Sequence, residues 1–255
     1  MSRSLRILII DDDRRMAKTL VDILRVKGFE AEAANSAEEA ITMLLGERFD
    51  TVLTDIKMPQ MNGVELYKTM KIMQPDLPVV LMTAYSSDSL VKAGLEEGAI
   101  AVLSKPLEID LLLSFFSALR RERSAIIVDN DPELGRTLAQ ILRLRGMTVT
   151  VLPCYNDSLE ALGPGGQVFL LDIALSRPDG IDMVKHVKEL LPHLPTIVVA
   201  DPGYAPSPEI QEALRLGACS YLFRPVNVER LLQVFNDLRR TELARLLKQP
   251  VRALG

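Results

Sequence analysis

An alternation written twice limits this chain more than any other feature. Short β-branched runs at residues 5–10, 30–34, 51–54, 79–82 and 100–103 are separated by longer stretches of helical period. Met16, Leu20, Ile23 and Leu24 fall on one helical face, and Gly28 ends that helix. Ser36 and Glu39 predict a capping box at the start of the next one. Residues 63–73, 87–97 and 108–121 supply three more helices. The order then repeats, with strands at 125–128, 148–152, 168–171, 196–199 and 220–223. Helical patterns follow around 134–144, 157–162, 181–191, 209–216 and 228–247. Landmarks recur at nearly constant distance: 118 residues from Asp11 to Asp129, 117 from Asp55 to Asp172, and 119 from Lys105 to Arg224.

Such a repeat within 255 residues predicts two tandem domains, 1–122 and 123–240, with a basic helical tail at 241–255. Alternating βα units predict an α/β fold, with parallel sheets covered by helices and joined by right-handed crossovers. Each domain is therefore expected to be a flavodoxin-like (βα)5 unit with a five-stranded sheet in the order 2-1-3-4-5.

Charge and composition narrow the function classes. Hydrophobic residues make up 48% and charged residues 25%, and the net charge of −4 offers no basic field for nucleic acid. The excess is uneven: residues 1–122 hold 19 acidic against 15 basic side chains, and the second half holds 15 of each. No apolar run approaches the ~20 residues that span a bilayer, and the N-terminus passes straight into a strand pattern. Cys154 and Cys219 stand far apart without metal-ligand spacing, as expected of two thiols in a reducing compartment. A cytoplasmic protein is predicted, with no membrane contact and no nucleic-acid partner.

In parallel sheets the ligand crevice lies at the carboxyl ends of the strands. Asp11 and Asp12 end the first strand, Asp55 the third, Thr83 the fourth and Lys105 the fifth, so all five converge on one edge. Three carboxylates there repel one another and call for a positive partner. Mg²⁺ fits, because it takes oxygen ligands from one or two carboxylates together with a phosphate oxygen. Lys105 adds a compact charge and Thr83 a hydroxyl, which together suit phosphoryl transfer. Singly, each residue has a plainer role: Asp13 as a helix cap, Thr83 as a strand end, Lys105 as a solvated charge.

Taken together, the acidic pair Asp11–Asp12, Asp55 followed by "MP" and "NG", Thr83–Ala84 and Lys105–Pro106 give the first half a clear resemblance. It is similar to the response-regulator receiver domains of bacterial two-component systems. The resemblance implies that Asp55 is the phosphoacceptor. It implies that Asp12, Asp55 and the Lys57 carbonyl ligate Mg²⁺, with Asp11 acting through water. Thr83 and Lys105 would contact the phosphoryl group, and the Lys105–Pro106 bond is often cis in such domains. A histidine kinase or phosphotransfer protein becomes the expected donor, with a downstream protein as target, and the chain is expected not to be an enzyme. One position departs from the pattern: Val102 stands where an aromatic usually swings inward, and Tyr85 is the nearest substitute.

The second half resembles the same family with its departures at the site. Asp129 and Asp172 remain, but Asn130, Ala200 and Arg224 replace an acid, a hydroxyl and the lysine. Arginine spreads its charge over a planar fork and is no equivalent of lysine at a tight site. The second domain thus reads as a degenerate pseudo-receiver used for protein contact or dimerisation. Tyr221 stands in the aromatic position and is expected to pack, while His186 and His193 read as surface residues. In the helix at 108–121, Ile109, Leu112, Phe116 and Leu119 form a stripe, with Leu111 and Phe115 outside it. That helix is expected to pack against the second domain or a second copy of the chain. The tail is expected to be a solvated helix end.

Three other readings compete. The aspartate run contains the D-x-D of haloacid-dehalogenase-like phosphatases, with Asp11 as nucleophile and Asp13 as acid/base, but it carries Arg15 where that family has Thr or Val. A scaffold without phosphotransfer would not need Asp12, Thr83 and Lys105. A dinucleotide site fails, because no G-x-G-x-x-G follows the first strand.

Overall fold

The computed structural model describes residues 4–84, 89–120, 124–152, 167–174, 180–202 and 207–248. The chain divides into two compact units, Met1–Arg120 with Arg239–Arg252, and Arg121–Leu238 with Ala253–Gly255. In the first unit β1 (Arg6–Ile10), β2 (Glu30–Ala34), β3 (Thr51–Asp55), β4 (Val79–Thr83) and β5 (Ala101–Ser104) alternate with five helices. These are α1 (Arg14–Val26), α2 (Ala37–Gly46), α3 (Gly63–Met73), α4 (Ser89–Glu97) and α5 (Ile109–Arg120). The strands pair in parallel in the order β2-β1-β3-β4-β5.

The strand sequences explain this arrangement. Strands β3 and β4 are buried at every position, as a sheet covered on both faces requires. Side chains alternate between the faces. Ile7, Ile9 and Leu53 join the core formed with α1 and α5, while Leu8, Ile10 and Val52 join the one formed with α2 and α3. Asp13 caps α1 as expected, its carboxylate accepting from the Arg15 and Met16 N–H groups. The capping box read at Ser36 and Glu39 is only half formed. Ser36 Oγ accepts from the Glu39 N–H, but Glu39 accepts from the Asn35 N–H instead of that of Ser36. A complete box forms at Asn62 and Glu65, opening α3.

The second unit repeats the plan. It contains β6 (Ser124–Val128), α6 (Pro132–Leu144), β7 (Thr148–Leu152), β8 (Gln167–Asp172) and α7 (Gly180–Leu190). They are followed by β9 (Thr196–Ala200), α8 (Pro208–Arg215), β10 (Ser220–Phe223) and α9 (Val228–Leu246). Its strand order, β10-β9-β8-β6-β7, is the same arrangement. The expected helix at 157–162 and Cys154 lie outside the described residues, and Cys219 is half-buried with a free thiol.

The expectation for the tail is corrected. Phe115 is fully buried, and α5 packs on the chain's own C-terminal residues: Leu243 and Leu247 share its core cluster with Leu112, Phe115, Phe116 and Leu119. The tail is therefore not a solvated helix end. Leu243 and Leu247 stand four residues apart and fall on one helical face, while Glu242, Arg245 and Lys248 are exposed. Among the described residues no helix is long and apolar enough to cross a membrane.

Gly63 ties the fold to the strand end that carries Asp55. A Cβ there would lie 2.1 Å from the Asp55 carbonyl oxygen and 3.0 Å from the Ile56 Cα. Its N–H donates to the Ile56 carbonyl at 2.9 Å. Gly180 repeats the close approach against Ile173. We expect Gly63→Ala to destabilise the first unit by about 1–3 kcal/mol in urea denaturation, because backbone cannot yield as a side chain can. Gly46→Ala, with nothing within 4 Å of the added carbon, should leave the midpoint unchanged or raise it.

Candidate functional site

The strand order places the site. Strands β1 and β3 are neighbours, but their connections leave in opposite directions across the sheet, which opens a crevice at their carboxyl ends. Asp11 follows β1, Asp55 ends β3, Thr83 ends β4 and Lys105 follows β5. Backbone bonds hold these ends in register: Asp11 N–H to the Ala34 carbonyl at 3.1 Å, Ile56 N–H to Met82 at 2.8 Å, Lys105 N–H to Thr83 at 2.7 Å. Asp11, Asp55 and Thr83 are buried, while Asp12 is exposed.

Lys105 joins the crevice together. Its Nζ lies 2.7 Å from Asp11 Oδ2 and 2.8 Å from Asp55 Oδ1. The other oxygen of Asp11 accepts from the Asp13 N–H at 3.0 Å. Carboxylate oxygens of Asp11, Asp12 and Asp55 all lie within 4.8 Å of one another. An all-oxygen group of that kind is suited to a hard divalent cation. Lys57 is exposed in the loop two residues beyond Asp55. The Lys105–Pro106 peptide is cis, as the resemblance implied.

One lysine shared by two acids sets the protonation energetics. Burial raises the Asp55 carboxyl above its ordinary range; Lys105 opposes this, and repulsion from Asp11 and Asp12 adds to it. Burial works against the Lys105 charge, but its bonds to Asp11 and Asp55 outweigh that and raise its pKa. The lysine receives two attractions, whereas Asp55 receives half a partner and two repulsions.

The second unit builds a parallel arrangement from different groups. Asp129 follows β6, Asp172 ends β8, Ala200 ends β9 and Arg224 follows β10. A single guanidinium nitrogen of Arg224, Nη2, lies 2.8 Å from Asp129 and 2.9 Å from Asp172. Asn130 is exposed beside this pair. The Arg224–Pro225 peptide is also cis. Burial raises the pKa of Asp129 as it does that of Asp55. Asp131, which the sequence reading passed over, caps α6 as Asp13 caps α1; the signal was its position two residues after the strand-end acid. Among the described residues, the three-acid cluster occurs in the first unit.

Other predicted positions fall away from the chemistry. Val102 is half-buried against the core under α2 and α3, and Tyr85 lies outside the described residues. Tyr221 is half-buried and packs edge-on against Phe223, with ring centroids 5.4 Å apart. His193 is exposed and His186 half-buried on α7.

Comparison with known proteins decides the family. A family profile described as "Response regulator receiver domain" matches residues 7–116 and again 125–236. The chain belongs to the response regulator receiver family. A response regulator receiver protein of Anaeromyxobacter sp. is 32% identical over 92% of this chain and 95% of its own length. The response regulator MprA of Mycobacterium bovis is 36% identical over 46% of this chain, which spans about half of MprA (51%). A CheY-like receiver domain structure from Methanospirillum hungatei is 34% identical, covering 46% of this chain and 94% of its own, with a TM-score of 0.44. Two receiver units in tandem, with the Anaeromyxobacter relative matched over nearly its whole length, make the protein a two-component response regulator.

Removing the bridging charge should expose the repulsion it hides. A carboxyl whose pKa is raised by folding penalises the folded state fully above its folded pKa, and the penalty is gone below its unfolded value near 3.8. Lys105→Met is therefore expected to lower stability at neutral pH by about 1–3 kcal/mol, since two buried acids lose their partner. The deficit should shrink as pH falls towards 4. Thermal melts at several pH values in chelator check this: a deficit independent of pH would contradict the assignment.

Proposed function

We propose that this response regulator accepts a phosphoryl group on Asp55 from a histidine kinase or phosphotransfer protein, and that its second unit is a pseudo-receiver that does not. The observation that carries the reading is the bridge from Lys105 to Asp11 and Asp55, beside a third carboxylate on the same edge. In the transfer, a carboxylate oxygen of Asp55 bonds to phosphorus as the bond from phosphorus to the donor nitrogen breaks. The donor keeps that electron pair. Lys105 is placed to shift from the Asp55 carboxylate to a phosphoryl oxygen, and the Thr83 hydroxyl closes the site at the end of β4. The Asp11, Asp12 and Asp55 oxygens and the Lys57 carbonyl would hold Mg²⁺, which supplies neutralisation of the transferred charge when bound. The protein takes the group onto itself and turns over no separate substrate, so we do not regard it as an enzyme. Its place of action would be the cytoplasm, where kinase catalytic domains meet their regulators.

The geometry favours this reading over the phosphatase alternative. The Asp13 carboxylate is engaged with the Arg15 and Met16 N–H groups at the start of α1. Asp11 is fully buried and held by Lys105. In the second unit, the exchange of an acid for Asn130 and of a hydroxyl for Ala200 leaves Asp129 and Asp172 sharing Arg224. That supports its use as a contact domain.

Intact mass after incubation with Mg²⁺ and a small acyl phosphate tests both parts. A single phosphoryl group that disappears in Asp55→Asn is expected. An adduct surviving in that variant would show the second unit to be an acceptor. No adduct, even with a panel of phosphorylated kinases, would favour a scaffold.

A further inference from the structure

The second crevice differs from the first at one more position. Thr83 at the end of β4 is followed by Ala84, whereas Ala200 at the end of β9 is followed by Asp201. The Asp201 side chain is 69% exposed, and its Oδ1 lies 3.9 Å from Arg224 Nη1. The other tip of the same fork, Nη2, lies 2.8 Å from Asp129 Oδ1 and 2.9 Å from Asp172 Oδ2. One guanidinium thus stands among three acids, carried at the ends of β6, β8 and β9. In the first unit the single nitrogen of Lys105 reaches Asp11 and Asp55.

These contacts restrain the arginine in a way that a lysine escapes. An ammonium on a flexible stem can turn any of three protons from a carboxylate to a phosphoryl oxygen. A guanidinium is a rigid plane, and with acids at both tips it cannot turn to a new anion without leaving one of them. Burial works against the Arg224 charge, but the attraction of Asp129, Asp172 and Asp201 outweighs it and raises its pKa. Among the described residues, Arg224 Nε is buried without a hydrogen-bond partner. An unpaired buried N–H is unfavourable, so the acids at the two tips set the position of the fork. Nη2 rests on Asp129 and Asp172, the counterparts of Asp11 and Asp55, and supplies the positive charge that a divalent cation would bring there. The exposed charge of Asp201 also repels an anionic donor approaching this end of the sheet.

We propose that Arg224 and Asp201 form an ionic latch that closes the second crevice to divalent cations and phosphoryl donors. This latch, rather than the missing acid at Asn130 or the missing hydroxyl at Ala200, silences Asp172. The proposal rests on the pseudo-receiver reading of the second unit and names the two residues that impose it.

The test uses the full chain with Asp55→Asn, incubated with Mg²⁺ and a small acyl phosphate and followed by intact mass. In the reporting reaction a carboxylate oxygen of Asp172 bonds to phosphorus as the bond from phosphorus to the acyl oxygen breaks. The departing carboxylate keeps the electron pair. One variant restores the lost groups with Asn130→Asp and Ala200→Thr; a second adds Arg224→Lys and Asp201→Ala. The second is expected to gain one phosphoryl group at least about tenfold faster than the first, and to lose it when Asp172→Asn is added. A third adds Asp201→Ala alone to the restored pair. It alters an exposed side chain without disturbing the core, and its rate should rise about threefold. Equal rates in the first two variants overturn the latch and leave the pseudo-receiver reading intact. So does the absence of an adduct in the second variant if it melts cooperatively. If it does not, the third decides, and an unchanged rate there overturns the latch. An adduct on Asp172 in Asp55→Asn alone overturns both the latch and the pseudo-receiver reading.

Discussion

One ammonium group shared between two buried carboxylates is the interaction on which the site depends. Asp11 and Asp55 come from adjacent strands, and each would repel the other if Lys105 did not stand between them. Buried acids need such a partner or else lose their charge. The requirement ties together three strand ends, those of β1, β3 and β5. The parallel sheet holds them through its backbone ladder, and Gly63 keeps α3 tight against the strand end that bears Asp55.

The second unit shows how far the same frame holds when its chemistry changes. Strand order, caps and the glycine at the start of α7 are repeated, and a cation again bridges two acids. The cation is now a guanidinium, which bridges both acids through one nitrogen. The neighbouring acid has become an exposed amide at Asn130. What remains satisfies the buried charges, while a third acid, the exposed Asp201, stands 3.9 Å from Arg224 Nη1. The demand for a cation between two buried acids is thus met in both units, by lysine in one and arginine in the other.

Helix α9 illustrates a different economy. Leu231, Val234, Phe235 and Leu238 belong to the core of the second unit, and Leu243 and Leu247 to that of the first. The burial of Phe115 and Phe116 in α5 goes with that added apolar layer. A helix with apolar residues beyond one stripe needs two neighbours, and here the second neighbour comes from the far end of the chain.

The sequence by itself determined the periodic alternation, the doubling of the fold, the strand order and the gathering of Asp11, Asp12, Asp55, Thr83 and Lys105 on one edge. Those features follow from local patterning and from the geometry of parallel sheets, in which strand ends converge whatever the side chains do. The caps were legible in part: Asp13 behaved as read, but the Glu39 carboxylate accepts from the Asn35 N–H, one residue before the cap. Only the tertiary structure decided that Lys105 and Arg224 each bridge two acids, since the distance between strand ends is not written in spacing along the chain. It also decided what covers α5. The apolar excess at Leu111 and Phe115 announced a neighbour, but the partner lies more than a hundred residues away, and long-range packing chooses it by shape and burial, which no local pattern records.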